Sequence, residues 1–282
     1  MDANFITNFG LEVLKSAGTR GPFVFSPVSI LLSLAVYQLE NTTDYNAGGL
    51  RSQIFNGATN PELRDFVWKY SKFGWKKGQM QHDFHWKYPV VEVIRQGFSP
   101  KNLHLKQQNF LAVSAETSRA IQAGEGGLRF SQDAVFQVLA IPFRDNSLSL
   151  VIFLPVRIFE LHHALKALDM DRFQLLVNDR NTDLVHFEIP TFAIFSVPNI
   201  SSFSAAQNPN IFMTSAIVIS SHGVYSSSYY HTNALHNFRE TRRLQRDWLY
   251  RLENTPVNFG AIRPFMFAVM NGSVPIQMGV LT

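Results

Sequence analysis

The stretch that decides the fold lies near the end of the chain, where residues 263–280 have the sequence RPFMFAVMNGSVPIQMGV. Two apolar runs flank Asn271-Gly272, a dipeptide that favours the tight turn of a β-hairpin. Continuous apolar runs bounded by such a turn are typical of fully buried strands. We therefore expect a buried antiparallel pair, which the rest of the chain has to cover.

The composition predicts one large packed unit. The chain has 282 residues, of which 46% are hydrophobic, 16% are charged and 25 are phenylalanine. A chain of this length can bury a large core, and this composition excludes general disorder. No internal repeat, low-complexity segment or linker divides it. We therefore expect a single domain over residues 1–282.

Sites for common catalytic chemistries and for metals are absent from the sequence. There is no cysteine, which excludes disulfides, thiol nucleophiles and cysteine-based zinc sites. The patterns G-x-S-x-G, H-E-x-x-H, G-x-G-x-x-G and the Walker loop do not occur. The pairs His82/His85 and His162/His163 lack further ligands at metal-binding spacing. We expect a protein that is not an enzyme and that needs neither a metal nor a cofactor.

The N-terminal region indicates where the protein works. Residues 1–18 lack the basic lead and continuous apolar core of a secretory signal. The apolar stretch after Phe23 is interrupted by Ser26, Ser29 and Ser33, so it is no membrane span. We expect a cytoplasmic protein without membrane contact; an extracellular location is the alternative.

The two halves of the chain have different periodicities. Phe5, Phe9 and Val13 recur at helical spacing, and Ser26-Pro27 is a typical start for the buried helix that follows. From Phe130 onward the pattern favours strands, including a hairpin around the turn-forming residues 144–147, RDNS. Helices followed by a β-rich half predict an α+β fold.

Residues 236–254, HNFRETRRLQRDWLYRLEN, concentrate positive charge in a chain of net charge +4. A solvated segment, partly balanced by Glu240 and Asp247, is one interpretation. A loop presented to a trypsin-like protease is the second. A polyanion-binding patch, in which Trp248 and Tyr250 add stacking, is the third and has the least support.

Four segments, in this order, resemble the serpin family of serine protease inhibitors. The C-terminal hairpin resembles the family's closing signature, and residues 23–36, FVFSPVSILLSLAV, resemble its early strand and buried helix. Residues 137–155 resemble its central hairpin. Residues 184–194, followed by 212–225, are similar to the strands that lead into its reactive loop. The resemblance implies a serpin-like α+β fold with N-terminal helices and mixed or antiparallel sheets, from which part of the central region, between about 58 and 130, is missing.

In a serpin, a protease cuts the reactive loop, which then inserts into the main sheet and traps the acyl-enzyme. The resemblance places that loop in residues 229–262, so the expected partner is a trypsin-like serine protease. The candidates for the scissile residue are Arg242, Arg243, Arg246 and Arg251. The residues in the position of the hinge are Tyr230, Thr232, Asn233 and Ala234.

The resemblance also implies a polar cluster below the main sheet, where the sheet opens. Ser26 and Ser29 match the family's S-P-x-S motif, and His222 matches the histidine of the strand before the reactive loop. The alternative is that Ser26 caps a helix and His222 fills a polar pocket in the core.

The hinge departs from the family pattern, which has small residues there. Burying Asn or His without partners costs about 1–3 kcal/mol each, and bulky aromatic side chains overpack a sheet. We therefore expect inhibition by loop insertion to be impaired. A non-inhibitory interaction protein on a serpin frame is the alternative, and a basic-loop polyanion binder is another.

Overall fold

The computed structural model describes residues 1–40, 52–75, 79–88, 91–99, 102–112, 128–157, 160–179, 187–197, 212–231 and 264–282. Five helices of this part are α1 (Ala3–Ala17), α2 (Pro27–Glu40), α3 (Asn60–Ser71), α4 (Leu161–Lys166) and α5 (Met170–Asn178). Its strands are β1 (Phe23–Phe25), β2 (Gln79–His85), β3 (Val91–Ser99), β4 (Asn102–Ala112), β5 (Arg129–Gln132), β6 (Phe136–Pro142), β7 (Leu148–Pro155), β8 (Glu188–Pro190), β9 (Phe192–Ser196), β10 (Phe212–Ser220), β11 (Gly223–His231), β12 (Phe265–Asn271) and β13 (Val274–Leu281).

The C-terminal hairpin lies inside the largest sheet, as its apolar sequence predicts. This six-stranded sheet has the order β1-β13-β12-β7-β6-β5. Gly272 turns the chain between β12 and β13 with a φ of 55°, a conformation that glycine adopts without strain. Every residue of β13 is buried. The predicted hairpin around residues 144–147 is β6–β7, and β12 pairs with β7.

The other strands form two smaller antiparallel sheets. One has the order β2-β11-β10-β9, and the other has the order β3-β4-β8. Strand β8 ends at Pro190, and β9 begins after Thr191. Helices together with largely antiparallel sheets confirm the predicted α+β fold.

The buried helix α2 packs between the two main sheets. It contacts β13 of the six-stranded sheet and β11 of the four-stranded sheet. Its residues from Pro27 to Ala35 are all buried, which explains why its sequence is apolar on most sides. Helix α1 packs on β13 and α2. The start of α2 therefore lies below β11 and its neighbour β2, where Ser26 contacts Met80.

Among the described residues, no helix is both long enough and apolar enough to cross a lipid bilayer.

Candidate functional site

The centre of the candidate site is β11, which lies between β2 and β10. It forms a hairpin with β10, in which Ser220 is opposite Gly223 and Phe212 is opposite His231. On its other side it pairs with β2, from Gly223 opposite His85 to Tyr229 opposite Gln79. Both ladders are antiparallel and continuous. The chain after β10 therefore returns directly into the middle of its own sheet.

The inner face of this sheet has a row of small polar residues. Ser196 of β9 is opposite Ser215 of β10, Ser215 is opposite Ser228 of β11, and Ser228 is opposite Met80 of β2. All four are at most 7% exposed. The hydroxyl of Ser196 accepts a hydrogen bond from the backbone N–H of Val24 at 2.9 Å. Serine side chains bury less apolar area than the residues usual in a core, so contacts along this row contribute little hydrophobic stabilisation.

One side chain of the six-stranded sheet forms hydrogen bonds to the β10–β11 hairpin. The amide nitrogen of Gln277, on β13, donates hydrogen bonds to the carbonyl oxygens of Ala216 at 3.3 Å and Ser227 at 3.1 Å. Ala216 and Ser227 are opposite each other on β10 and β11. Gln277 is 1% exposed, so these bonds form in a largely dry interior, where they are strong. This role could not be predicted, because a glutamine among apolar residues gives no sign in the sequence of what it contacts.

Ser26 directly precedes α2, and Ser29 lies in its first turn. The hydroxyl of Ser26 accepts a hydrogen bond from the backbone N–H of Ser29 at 3.1 Å, which is the capping role that the sequence suggested. It also contacts the sulfur of Met80 at 3.9 Å. The hydroxyls of Ser29 and Ser33 are buried without a hydrogen-bond partner among the described residues.

His222 does not join these serines, and that part of the prediction is wrong. It lies in the turn between β10 and β11 and is exposed, while Ser26 and Ser29 are fully buried. The reason is the hairpin: a chain that reverses at residues 221–222 leaves their side chains at the end of the sheet.

The histidine on the inner face of the sheet is His82 of β2, which is opposite Ser226 of β11. Its ring stacks on Phe84 at 5.0 Å, and its Nε2 is buried without a partner in the described part of the chain. Burial lowers the pKa of His82, against a smaller opposing effect of its hydrogen bond to the backbone of Phe73. In the sequence, His82 was a candidate only for a metal ligand, a role without further ligands at suitable spacing. The described residues contain no cluster of acidic or histidine side chains able to hold a metal ion.

Most residues of the expected reactive loop lie outside the described residues. These are Thr232, Asn233, Ala234, Arg242, Arg243, Arg246 and Arg251. The exception is Tyr230, whose backbone lies in β11 opposite Met213. The start of the expected hinge is therefore already a paired strand.

Solved structures with a similar fold are serpins. No model of a protein family matches the chain, and no curated protein sequence matches it. The thermophilic serpin tengpin in its latent state is similar over 100% of this chain and 98% of its own, with a TM-score of 0.72 and 13% identity. Tengpin in its native state gives a TM-score of 0.62 at 13% identity, with coverages of 100% and 94%. Serpin48 of the insect Tenebrio molitor gives 0.63 at 12% identity, with coverages of 99% and 97%. The protein therefore has the serpin fold.

Proposed function

We propose that the protein is a serpin-family inhibitor directed at trypsin-like serine proteases, with impaired covalent trapping. The fold supports the family, and the arginines between β11 and β12 support the choice of protease. In this proposal the protease binds residues 232–263 as it binds a substrate. Its serine attacks the carbonyl carbon of one arginine, the peptide bond breaks, and the new amine leaves with a proton.

The position of β11 is the observation that carries the proposal of an impaired trap. A trap needs room for a new strand inside the sheet after cleavage. Here β11 already occupies the space between β2 and β10. A strand cannot enter there until β11 leaves, and displacing it would break two ladders of backbone hydrogen bonds.

The lengths of the neighbouring strands give the same result. Residues beyond His231 would continue β11, but β10 begins at Phe212, which is opposite His231. On the other side β2 begins at Gln79, which is opposite Tyr229. In this proposal a new strand enters the described sheet only by displacing β11, so little energy is available to distort the acyl-enzyme.

The likeness to tengpin is consistent with this proposal. The latent tengpin structure gives a TM-score of 0.72, and the native structure of the same protein gives 0.62. A serpin frame whose sheet is complete before cleavage also suits a non-inhibitory interaction protein, which is the second candidate.

The proposal is tested by incubating the protein with trypsin and separating the products on a denaturing gel. Cleavage between residues 242 and 251, with no band at the summed mass, is the expected result. A boiling-resistant band at the summed mass would show that the trap works. If the bonds after Arg242, Arg243, Arg246 and Arg251 stay intact while trypsin cuts elsewhere, the protease-directed role is wrong.

A matched variant separates binding from trapping. Replacing the four arginines by lysine keeps trypsin cleavage at these positions, whereas replacing them by glutamine abolishes cleavage there. Because both sets lie outside the described sheets, their unfolding transitions should match that of the unchanged protein. If the glutamine set still forms a boiling-resistant band at the summed mass, these four arginines are not the scissile residues.

A further inference from the structure

We propose that the open edge of β2 is an interaction surface for a second copy of this chain, which pairs with it as an antiparallel strand. This inference is independent of the protease-directed function, because it concerns the opposite side of β2 from β11. Its partner is identified by the sequence of β2 itself.

Two hydrogen bonds show which way the backbone of β2 faces. The N–H of Arg144 donates to the carbonyl oxygen of His85 at 2.9 Å, and the N–H of Lys87 donates to that of Pro142 at 3.2 Å. Both bonds join β2 and its extension to the turn between β6 and β7. They lie on the side of β2 that faces away from β11.

The backbone groups of every second residue of β2 point to this same side, away from β11. In a β-strand the N–H and C=O of one residue point to the same side, and the next residue points to the other side. The backbone groups of Gln79, Gln81 and Asp83 therefore point outward, as those of His85 do. Within the described residues, no strand pairs with this side of β2 from Gln79 to Asp83.

Apart from one charged side chain, Asp83, this edge lacks the features by which proteins prevent association. Edges are usually protected by proline, by lysine, by a bulge or by very short strands. The sequence of β2, QMQHDFH, contains no proline, glycine, lysine or arginine. Its register with β11 is continuous, without a bulge. The side chains of Gln81 and Asp83 are exposed, so a partner can approach from solvent.

The sequence of β2 is complementary to itself when Gln81 lies on a two-fold axis. Gln81 is then opposite the partner's Gln81, and Gln79 is opposite the partner's Asp83, so that an amide can donate to a carboxylate. Met80 is opposite the partner's His82 on the buried face. Each outward-facing pair exchanges two backbone hydrogen bonds, and no two like charges are opposite each other. The product is one continuous sheet with four strands from each copy.

This complementarity favours a second copy over an unrelated peptide. A symmetric interface uses the same surface on both subunits, so one self-complementary strand is sufficient. A partner of different sequence would have no reason to match an amide at one end and a carboxylate at the other.

The test places charged residues at position 81, where the two-fold axis passes between the two copies of β2. Gln81→Lys places two lysines opposite each other, and Gln81→Glu places two glutamates there. Each variant alone should raise the dimer dissociation constant at least about tenfold in sedimentation velocity, because like charges are opposed. An equimolar mixture of the two variants should restore the dimer, since lysine then faces glutamate.

Two control variants separate this effect from changes in the fold. The side chain of Gln81 hydrogen-bonds to the hydroxyl of Tyr225, so Tyr225→Phe removes that contact without adding charge. Gln132→Lys places the same charge on β5, an outer strand of the six-stranded sheet. Both controls should dimerise like the unchanged protein.

Hydrogen exchange at rising protein concentration locates the interface. The amides of Gln79, Gln81 and Asp83 should become protected on dimerisation, whereas those of Met80 and His82 already face β11. A protein that stays monomeric up to about 100 µM, a concentration well above the Kd of specific interfaces, overturns the proposal. A dimer that neither charge variant weakens also overturns it. If the outward amides are protected independently of protein concentration, another segment of the same chain covers this edge and the proposal is wrong.

Discussion

Ser215 of β10 and Ser228 of β11 lie directly opposite each other on the inner face of the sheet, and neither hydroxyl has a hydrogen-bond partner among the described residues. Their exposed fractions are 1% and 2%. Burying a hydroxyl without a partner costs free energy, and an inner face of serines gains little from apolar contact. The hairpin that occupies the centre of the sheet is therefore held mainly by its backbone ladders and by Gln277.

Removing these two hydroxyls should stabilise the protein. Ser215→Ala and Ser228→Ala each eliminate an unsatisfied buried group, so the free energy of unfolding should rise by about 1 kcal/mol per substitution. Urea denaturation measures the change. Ser26→Ala is the contrasting variant, because it removes a helix cap and should lower stability by about 1 kcal/mol. If Ser215→Ala and Ser228→Ala both lower stability, ordered water satisfies the hydroxyls of Ser215 and Ser228.

Removing the amide of Gln277 should loosen the hairpin. Gln277→Leu removes two hydrogen bonds to the carbonyl oxygens of Ala216 and Ser227, and the free energy of unfolding should fall by about 0.5–1.5 kcal/mol for each bond. Amide exchange across β11 should accelerate more than exchange in β6 and β7. Gln137→Leu on β6 is the control, since its side chain is bonded only weakly to Gln132, at 3.4 Å. Equal acceleration in both variants would contradict a specific role for Gln277.

Protonation of His82 should destabilise the folded state. Its pKa is lowered by burial, so below the ordinary value of 6.5 the unfolded chain binds more protons than the folded one. Stability contributed by neutral His82 is present above pH 6.5 and is lost as the pH falls below it, by at most about 1.4 kcal/mol per pH unit.

The measurement is urea unfolding between pH 7.5 and pH 5 for the unchanged protein and for His82→Phe. Phenylalanine keeps the stacking on Phe84 but cannot bind a proton, so its stability should fall less steeply with acid. If the free energy of unfolding of His82→Phe falls with pH as steeply as that of the unchanged protein, His82 is not the cause of the acid sensitivity.

Gly223 should be essential for the turn that starts β11. Its φ is 151°, and an added Cβ would lie 1.9 Å from the carbonyl oxygen of Phe84. Gly223→Ala should therefore cost at least about 3 kcal/mol, through backbone strain and displacement of β2. Gly21→Ala, where an added Cβ meets nothing within 4 Å, should have a small effect. Thermal unfolding compares the two, and similar transition temperatures would argue against this close approach.

The strongest local patterns predicted the elements correctly. Asn271-Gly272 between apolar runs gave the closing hairpin, and Ser26-Pro27 gave the start of α2, because turn and cap chemistry act within a few residues. The prediction for His222 failed because the same sequence can continue as a strand or reverse at residues 221–222. Which of these occurs depends on pairing with β2, about 140 residues earlier in the chain.

The sequence by itself determined the α+β class, the two hairpins of the largest sheet and the buried helix beside them, since periodicity and turn residues express local preferences. Only the tertiary structure decided that β11 fills the centre of its sheet, that Gln277 bonds to it and that His82 lies on the inner face with its Nε2 buried. These features depend on strand order and register between distant segments, and hydrophobic pattern alone does not specify which strand becomes the neighbour of another.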